Sequence, residues 1–241
     1  MPVLTKCPFC GREINHKRAY GLDIPVPCQC DGAKAERARL DLEERRENWK
    51  EAYAQALSRA NIPSEYSHVR YWGDGRSVYL YGKQGRGKTE SACGALRKWL
   101  RDGITEYGES SNRFFAARSG KYVLMPEWMM QIRSSYNGRA ATEEQIIQST
   151  AGVGMLVMDD LGKGKMTDWV VERIYMVLDM RHRERKKLRT VITTQYDLDK
   201  LTSIFDAATD KETALAIRSR IEGMCEVMKF DGCDMRKNGV Q

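Results

Sequence analysis

No stretch of this sequence is apolar over the ~20 residues a membrane span requires. Met1 to Cys10 has neither the basic start nor the apolar run of a secretory signal. Neither a membrane protein nor a secreted one is indicated, and a soluble cytoplasmic protein is expected. Neither sign of charge dominates: 40 Lys and Arg face 33 Asp and Glu, a net +7, so where the charge sits matters more than its sum. Apolar residues are not scarce, and at 41% hydrophobic the chain can bury a core. Its 241 residues exclude a single small module and fit one large α/β domain with a small appendage.

Cysteine is unevenly placed. Four of the seven lie in the first thirty residues, as Cys7-Pro-Phe-Cys10 and Cys28-Gln-Cys30, while Cys93, Cys225 and Cys233 are scattered. Two close pairs separated by a loop can present four thiolates tetrahedrally to zinc, and Gly11 permits the tight turn after the first pair. Two disulfides would instead need an oxidising compartment, where the remaining thiols would be out of place. Four bound sulfurs leave zinc no open position, so residues 1–32 read as a fold-making zinc module and His16 as an ordinary loop residue. From Ala33 to Ala60 there is no Pro or Gly, and the Ala, Glu, Arg and Leu content predicts a helical connector. Trp49, Tyr53, Ala56, Leu57 and Ala60 form a stripe that could pack on the main domain or dock on another protein. Asn61-Ile62-Pro63-Ser64 ends it, and residues 61–241 form the large domain.

Within that domain, strand-like and helix-like segments alternate, as in a largely parallel sheet. The β-rich run Ser77-Val78-Tyr79-Leu80-Tyr81 leads into Gly82-Lys83-Gln84-Gly85-Arg86-Gly87-Lys88-Thr89, and Glu90 begins a helical stretch through Leu100. Strand, glycine loop, helix is the context that the phosphate-binding loop GxxxxGK[ST] requires. Its backbone N–H groups and helix start would cradle phosphate, Lys88 would neutralise the β/γ phosphates, and Thr89 would offer its hydroxyl to Mg²⁺. A second strand, Gly154-Met155-Leu156-Val157-Met158, ends in Asp159-Asp160. Asp159 would serve the metal and Asp160 the attacking water of ATP hydrolysis. Thr142-Glu143-Glu144-Gln145 looks like a capping box, and Thr167-Asp168 opens a further helix. A third strand, Thr190 to Thr194, ends at Gln195, whose amide could hydrogen-bond the γ-phosphate or the water, although a plain turn residue would look the same. Residues 163–189 carry nine Lys and Arg against four Asp and Glu. This local excess, with Lys163 and Lys165 at the active-site edge, suits either a phosphate-backbone partner or a solvated helix face.

These motifs, in this order, resemble the AAA+ ATPases of the DnaC/DnaI helicase-loader group, with IstB-type transposition ATPases as close relatives. The resemblance spans roughly residues 60–236. It is carried by Ile62-Pro63 with Tyr66, Tyr81-Gly82, Asp159-Asp160-Leu161-Gly162, Thr167-Asp168-Trp169 and Val191-Ile192-Thr193-Thr194-Gln195. Gln195 departs from the family's usual Asn at this strand tip, and Gln84 and Arg86 stand where relatives often have Pro and Thr. Ala216-Ile217-Arg218-Ser219-Arg220-Ile221 looks like the family's Ser-Arg-Leu element, which implies that Arg220 reaches the nucleotide of a neighbouring subunit and that the chain self-associates; read from the residues alone, Arg220 could equally form a surface ion pair. Arg236 matches the second sensor too loosely to be assigned. The cysteine cluster resembles the zinc-binding front ends of some loaders. The resemblance therefore implies ATP, Mg²⁺ and Zn²⁺ as cofactors. It implies a hexameric replicative helicase and single-stranded DNA as partners, in a bacterial cytoplasm or, for a phage protein, that of its host. Two rivals stay open: a transposition ATPase acting on duplex DNA, and a zinc-binding DNA adaptor that binds nucleotide without hydrolysing it.

Overall fold

The computed structural model describes residues 6–106, 112–136 and 141–231; Cys233 and Arg236 lie outside these. The chain divides into two compact units, Met1–Ala52 with Glu106–Phe115, and Tyr53–Thr105 with Ala116–Gln241. The boundary falls inside helix α1 (Asp31–Arg59).

In the first unit, β1 (His16–Ala19) pairs antiparallel with β2 (Leu22–Pro25). Tyr20 and Gly21 close the hairpin with φ of 54° and 76°, the double left-handed conformation of a two-residue primed turn. His16 therefore opens a strand and is not a loop residue. Helix α1 starts directly after Cys30, whose carbonyl accepts from Lys34 N–H at 3.0 Å, while Arg37 donates to Cys28 O at 2.8 Å. The helix thereby fixes the second cysteine pair.

The second unit is the expected α/β fold. Its elements run β3 (Val78–Tyr81), α2 (Lys88–Arg101), the short strands β4 (Ile104–Glu106) and β5 (Phe114–Ala116), which belong in part to the first unit, β6 (Gly120–Leu124), α3 (Met125–Ser135), α4 (Glu143–Ala151), β7 (Met155–Asp159), α5 (Asp168–Arg183), β8 (Arg189–Thr194), α6 (Leu198–Asp206), α7 (Lys211–Met224) and β9 (Glu226–Lys229). The main sheet has the order β6-β7-β8-β3-β9 with every pairing parallel. Its central strands are buried on both faces, and alternate residues divide between two cores, as the period of two demands. Tyr79, Leu156, Met158 and Ile192 enter one core with α3 to α7; Val78, Leu80, Met155, Val157 and Val191 enter the other with α2. Ala56 and Ala60 are buried in that second core, with Tyr53 and Leu57 packed against it. This part of the α1 stripe is therefore core. The capping box at Thr142 and the Thr167 cap both form.

The basic stretch 163–189 is not a uniform surface. Arg181 is fully buried: it donates through Nε to Thr190 Oγ1 at 2.9 Å, and through its Nη atoms to the carbonyls of Ala151, Val153 and Arg189 at 2.7, 2.8 and 2.5 Å. Burial pulls its pKa down to about 10, so it stays cationic at neutral pH. Its planar fork joins α5 to the loop before β7 and to the start of β8. Arg173 is mostly buried and paired with Glu143 at 2.8 Å. Arg181→Ala would strand three carbonyls, each worth ~1–3 kcal/mol when buried and unsatisfied. The urea midpoint should therefore fall by an amount equivalent to ~3 kcal/mol or more at unchanged m-value. Arg181→Lys, which keeps the charge without the fork, should recover only part of it.

Candidate functional site

The phosphate loop closes over the C-terminal edge of the sheet. At Gly82 φ is 143°, and a Cβ there would lie 2.5 Å from the Phe230 carbonyl oxygen. Gly87 caps α2 with φ of 81°. Both positions exclude a side chain, the first by crowding and the second by conformation. The Lys88 ammonium is held by the carbonyls of Gly82 and Lys83, each at 2.8 Å. The loop borders a cleft of about 240 Å³ lined by Gln84, Gly85, Arg86, Gly87, Lys88, Thr89 and Glu90, with Asp160, Lys163 and Tyr66 opposite.

Strand β8 separates β7 from β3, so Asp159 is not on a neighbouring strand to the loop. It is brought there by side chains. Asp159 Oδ1 accepts from Thr89 Oγ1 at 2.9 Å and from Thr193 Oγ1 at 2.5 Å, and Oδ2 accepts from Tyr122 OH at 2.7 Å. Burial pushes this carboxyl above the ordinary carboxylate range, while the three hydroxyls pull the other way. A buried carboxylate touching the loop threonine is what a hard divalent cation would need, since it offers anionic oxygen and desolvation already favours neutralising it. Asp160 points elsewhere. Its φ is 57°, its N–H donates to Thr193 Oγ1 at 3.1 Å, and its carboxylate is paired with Lys163 Nζ at 2.6 Å.

The remaining sequence candidates are dispersed. Gln195 follows the end of β8 and is not among the residues lining the cleft. Arg220 lies on α7, where its Nε donates to Asp179 Oδ1 at 3.0 Å, also away from the cleft. Lys165 lines a separate cavity, shared with Lys163. Three residues at this site escaped assignment as site residues. Tyr66 faces the phosphate loop, and burial foremost, with Glu65 beside it, pushes its phenol up to about 12. Tyr122 and Thr193 are tied to Asp159 only through sheet register, which no motif encodes.

In the first unit the Sγ atoms of Cys7, Cys10, Cys28 and Cys30 lie within 4.8 Å of one another. Cys7 and Cys30 are 3.7 Å apart, Cys10 and Cys28 3.6 Å. Zn–S bonds of about 2.3 Å in a tetrahedron give edges of ~3.8 Å, so the set fits zinc; a disulfide would bring two sulfurs to ~2 Å. The Phe9 backbone N–H, foremost, holds the Cys7 thiol down at about 6. At Cys10 the Arg12 N–H also acts downward, yet burial and the neighbouring thiols push it up to about 11. Four sulfurs this close can all ionise only around a cation.

No protein-family model matches the chain. It is similar to a replicative helicase loader. Over 168 residues it is 28% identical to "Replicative helicase loader DnaI" of Bacillus subtilis (strain 168), covering 68% of this chain and 49% of that protein. The match thus spans about half the length of that relative. The resemblance to the DnaC/DnaI group read from the motifs is borne out by it. Similar solved structures include a DnaC helicase loader (20% identity, 65% of this chain and 79% of that one, TM-score 0.48) and DnaI (22%, 66% and 76%, TM-score 0.48). AMPPCP-bound DnaA from Aquifex aeolicus is 12% identical, over 73% of this chain and 46% of its own, at TM-score 0.47.

Cys10→Ser should lower bound zinc from about one equivalent to less than about half, and unfold residues around the cluster, since structural zinc contributes ~10–16 kcal/mol of apparent folding free energy. Zinc release with a chromogenic chelator measures the first and near-UV circular dichroism the second. A pH test addresses Asp159. Its folded pKa is raised, so its contribution to stability is fully present below the unfolded carboxyl's pKa of ~3.9 and is lost as pH rises through the folded value. In nucleotide-free protein with magnesium chelated, melting temperature should fall over that window, and Asp159→Asn should flatten the fall. An unchanged slope would place the titration on another group.

Proposed function

We infer that this chain is an ATP-dependent loader of a hexameric replicative helicase. The observation that carries the reading is the contact of Thr89 with Asp159 at 2.9 Å. It puts a loop hydroxyl and a buried carboxylate together beside the phosphate loop, in a chain similar to DnaI over 168 residues. ATP would sit on residues Gly82 to Glu90 with its phosphates toward Lys88. Mg²⁺, held by Thr89 and Asp159, would supply Lewis-acid stabilisation of the phosphate charge. Asp160 would accept a proton from the attacking water, with Gln195 orienting the γ-phosphate side. The zinc module, with Cys7, Cys10, Cys28 and Cys30 as ligands, and the helical connector would engage the helicase. The ATPase domain would self-associate and contact single-stranded DNA in the cytoplasm. Lys163, which already holds Asp160, is weakened as a DNA contact, and Lys165 would keep that role.

Arg220 lies outside the cleft of its own chain, as an arginine serving a neighbour's nucleotide must. Arginine supplied in trans contributes ~10³–10⁵ in rate in comparable phosphoryl-transfer systems. ATP turnover per chain should therefore rise with protein concentration. Lys88→Ala should lose nucleotide affinity, whereas Asp160→Asn should bind ATP and fail to turn it over. Mixing Lys88→Ala with Arg220→Ala should restore some turnover, because a sound loop and a sound arginine then meet in mixed assemblies. If Arg220→Ala alone hydrolyses ATP like wild type, the trans role is wrong. Failure of a purified hexameric helicase to co-elute with the zinc-loaded chain would remove the loading role.

A further inference from the structure

The phosphate cleft shares one residue with a second cavity. This groove, about 240 Å³, lies among α3, residues 162–166 and α5. Met129, Met130, Met166 and Ile174 form part of its apolar lining, and Arg133, Lys163 and Lys165 supply three cations. Among the described residues no carboxylate and no aromatic ring lines it. Arg133 is steadied by the Trp169 ring, 5.4 Å from its guanidinium carbon to the ring centroid. Lys163 borders both cavities and reaches Asp160 at 2.6 Å from between Gly162 and Gly164.

We propose that this groove docks an acidic amphipathic helix of a partner protein, and that a carboxylate of the docked helix draws Lys163 off Asp160 and so releases the ATP site. The second half rests on the ATPase reading given above; the docking does not.

The lining selects the ligand class. Methionine is flexible and polarisable, and methionine-lined grooves accept apolar anchors of varied shape from an amphipathic helix. Three cations without an acidic counterpart in the lining favour a ligand with carboxylates at its rim. Single-stranded nucleic acid is held largely by bases stacked on aromatic side chains, and this groove offers none. Lys163 itself binds a carboxylate, that of Asp160, so an incoming Glu or Asp competes for it like for like.

The coupling follows from what the ion pair does to Asp160. An ammonium at 2.6 Å occupies a carboxylate oxygen that would otherwise take the proton from water. Removing the ammonium frees that oxygen. A docked helix shifts this equilibrium by as much as it binds the released Lys163 better than the Asp160-bound one.

The test uses the full zinc-loaded chain and a labelled peptide of about 15 residues with Leu at helical i, i+4, i+7 and i+11 positions and Glu at the rest. Fluorescence anisotropy should register binding that weakens about tenfold in Met130→Glu, a change at an exposed position that adds like charge to the groove. A peptide with Lys for Glu should not bind. Saturating peptide should raise ATP turnover about threefold or more. Lys163→Met should show that raised rate without peptide, no further stimulation and unchanged ATP affinity, while Met130→Glu keeps the basal rate and loses the stimulation. Equal binding of the Glu and Lys peptides, or undiminished binding to Met130→Glu, would overturn the docking site. Met130-dependent binding of oligo-dT without peptide binding would reassign the groove to nucleic acid. A Lys163→Met variant that binds ATP more weakly and turns it over more slowly would make Lys163 a phosphate ligand and end the latch. If wild type turns over no ATP, the ATPase reading and the latch fall together, and anisotropy still decides the docking.

Discussion

The cleft depends on one buried carboxylate. Asp159 is 3% exposed and accepts hydroxyl protons from α2, β6 and β8 through Thr89, Tyr122 and Thr193. A charge placed there without partners would be expelled or neutralised. Three hydroxyl donors make it tolerable while leaving it short of full compensation, as the upward push on its pKa records. That residual cost is useful. A buried anion not fully satisfied by the protein is a better ligand for a hard cation than a solvated one, because less water must be stripped from it on binding. The same three bonds join the phosphate-loop helix to three strands of the sheet, β6, β7 and β8, so the element that would carry ATP is held in register with the sheet that positions its chemistry.

Much of this was legible in the sequence, and the part that was not has a physical explanation. The phosphate loop, β7 and β8 announce themselves because glycine spacing and unbroken apolar runs are local signals. The caps at Thr142 and Thr167 are local as well. Tyr122 is 37 residues from Asp159 in sequence, and nothing near it marks it as a ligand of that carboxylate; only the pairing of β6 with β7 brings it in. The β1–β2 hairpin was missed because its turn is Tyr20-Gly21, without the Asn-Gly or Asp-Gly that marks most primed turns. Arg181 is counted in the basic excess of residues 163–189, although the sequence does signal its burial. Position 181 stands three, four and seven residues after Leu178, Val177 and Ile174, on the same helical stripe. Counting charge along a segment ignored which face each cation occupies.

The pair Asp159-Asp160 shows how one dipeptide can hold two carboxylates in different electrostatic surroundings. In an extended strand successive side chains already point to opposite faces. Here the second residue also takes φ of 57°, a conformation that costs a non-glycine residue free energy and that Asp tolerates better than most. The bend ends the strand, sends the Asp159 side chain into the hydroxyl cage and leaves Asp160 at the edge of the cleft with Lys163. One carboxyl is therefore raised by burial, while its neighbour sits beside an ammonium near solvent. Two adjacent acids with separated environments are what a division between holding a metal and taking a proton requires. Replacing Asp160 by a residue less suited to positive φ would disturb both, because the same backbone turn aims both side chains. The charge at position 160 and the conformation at position 160 are thus separate contributions. Asn, which shares the tolerance for positive φ, removes the first without the second, whereas Ala or Val would confound them.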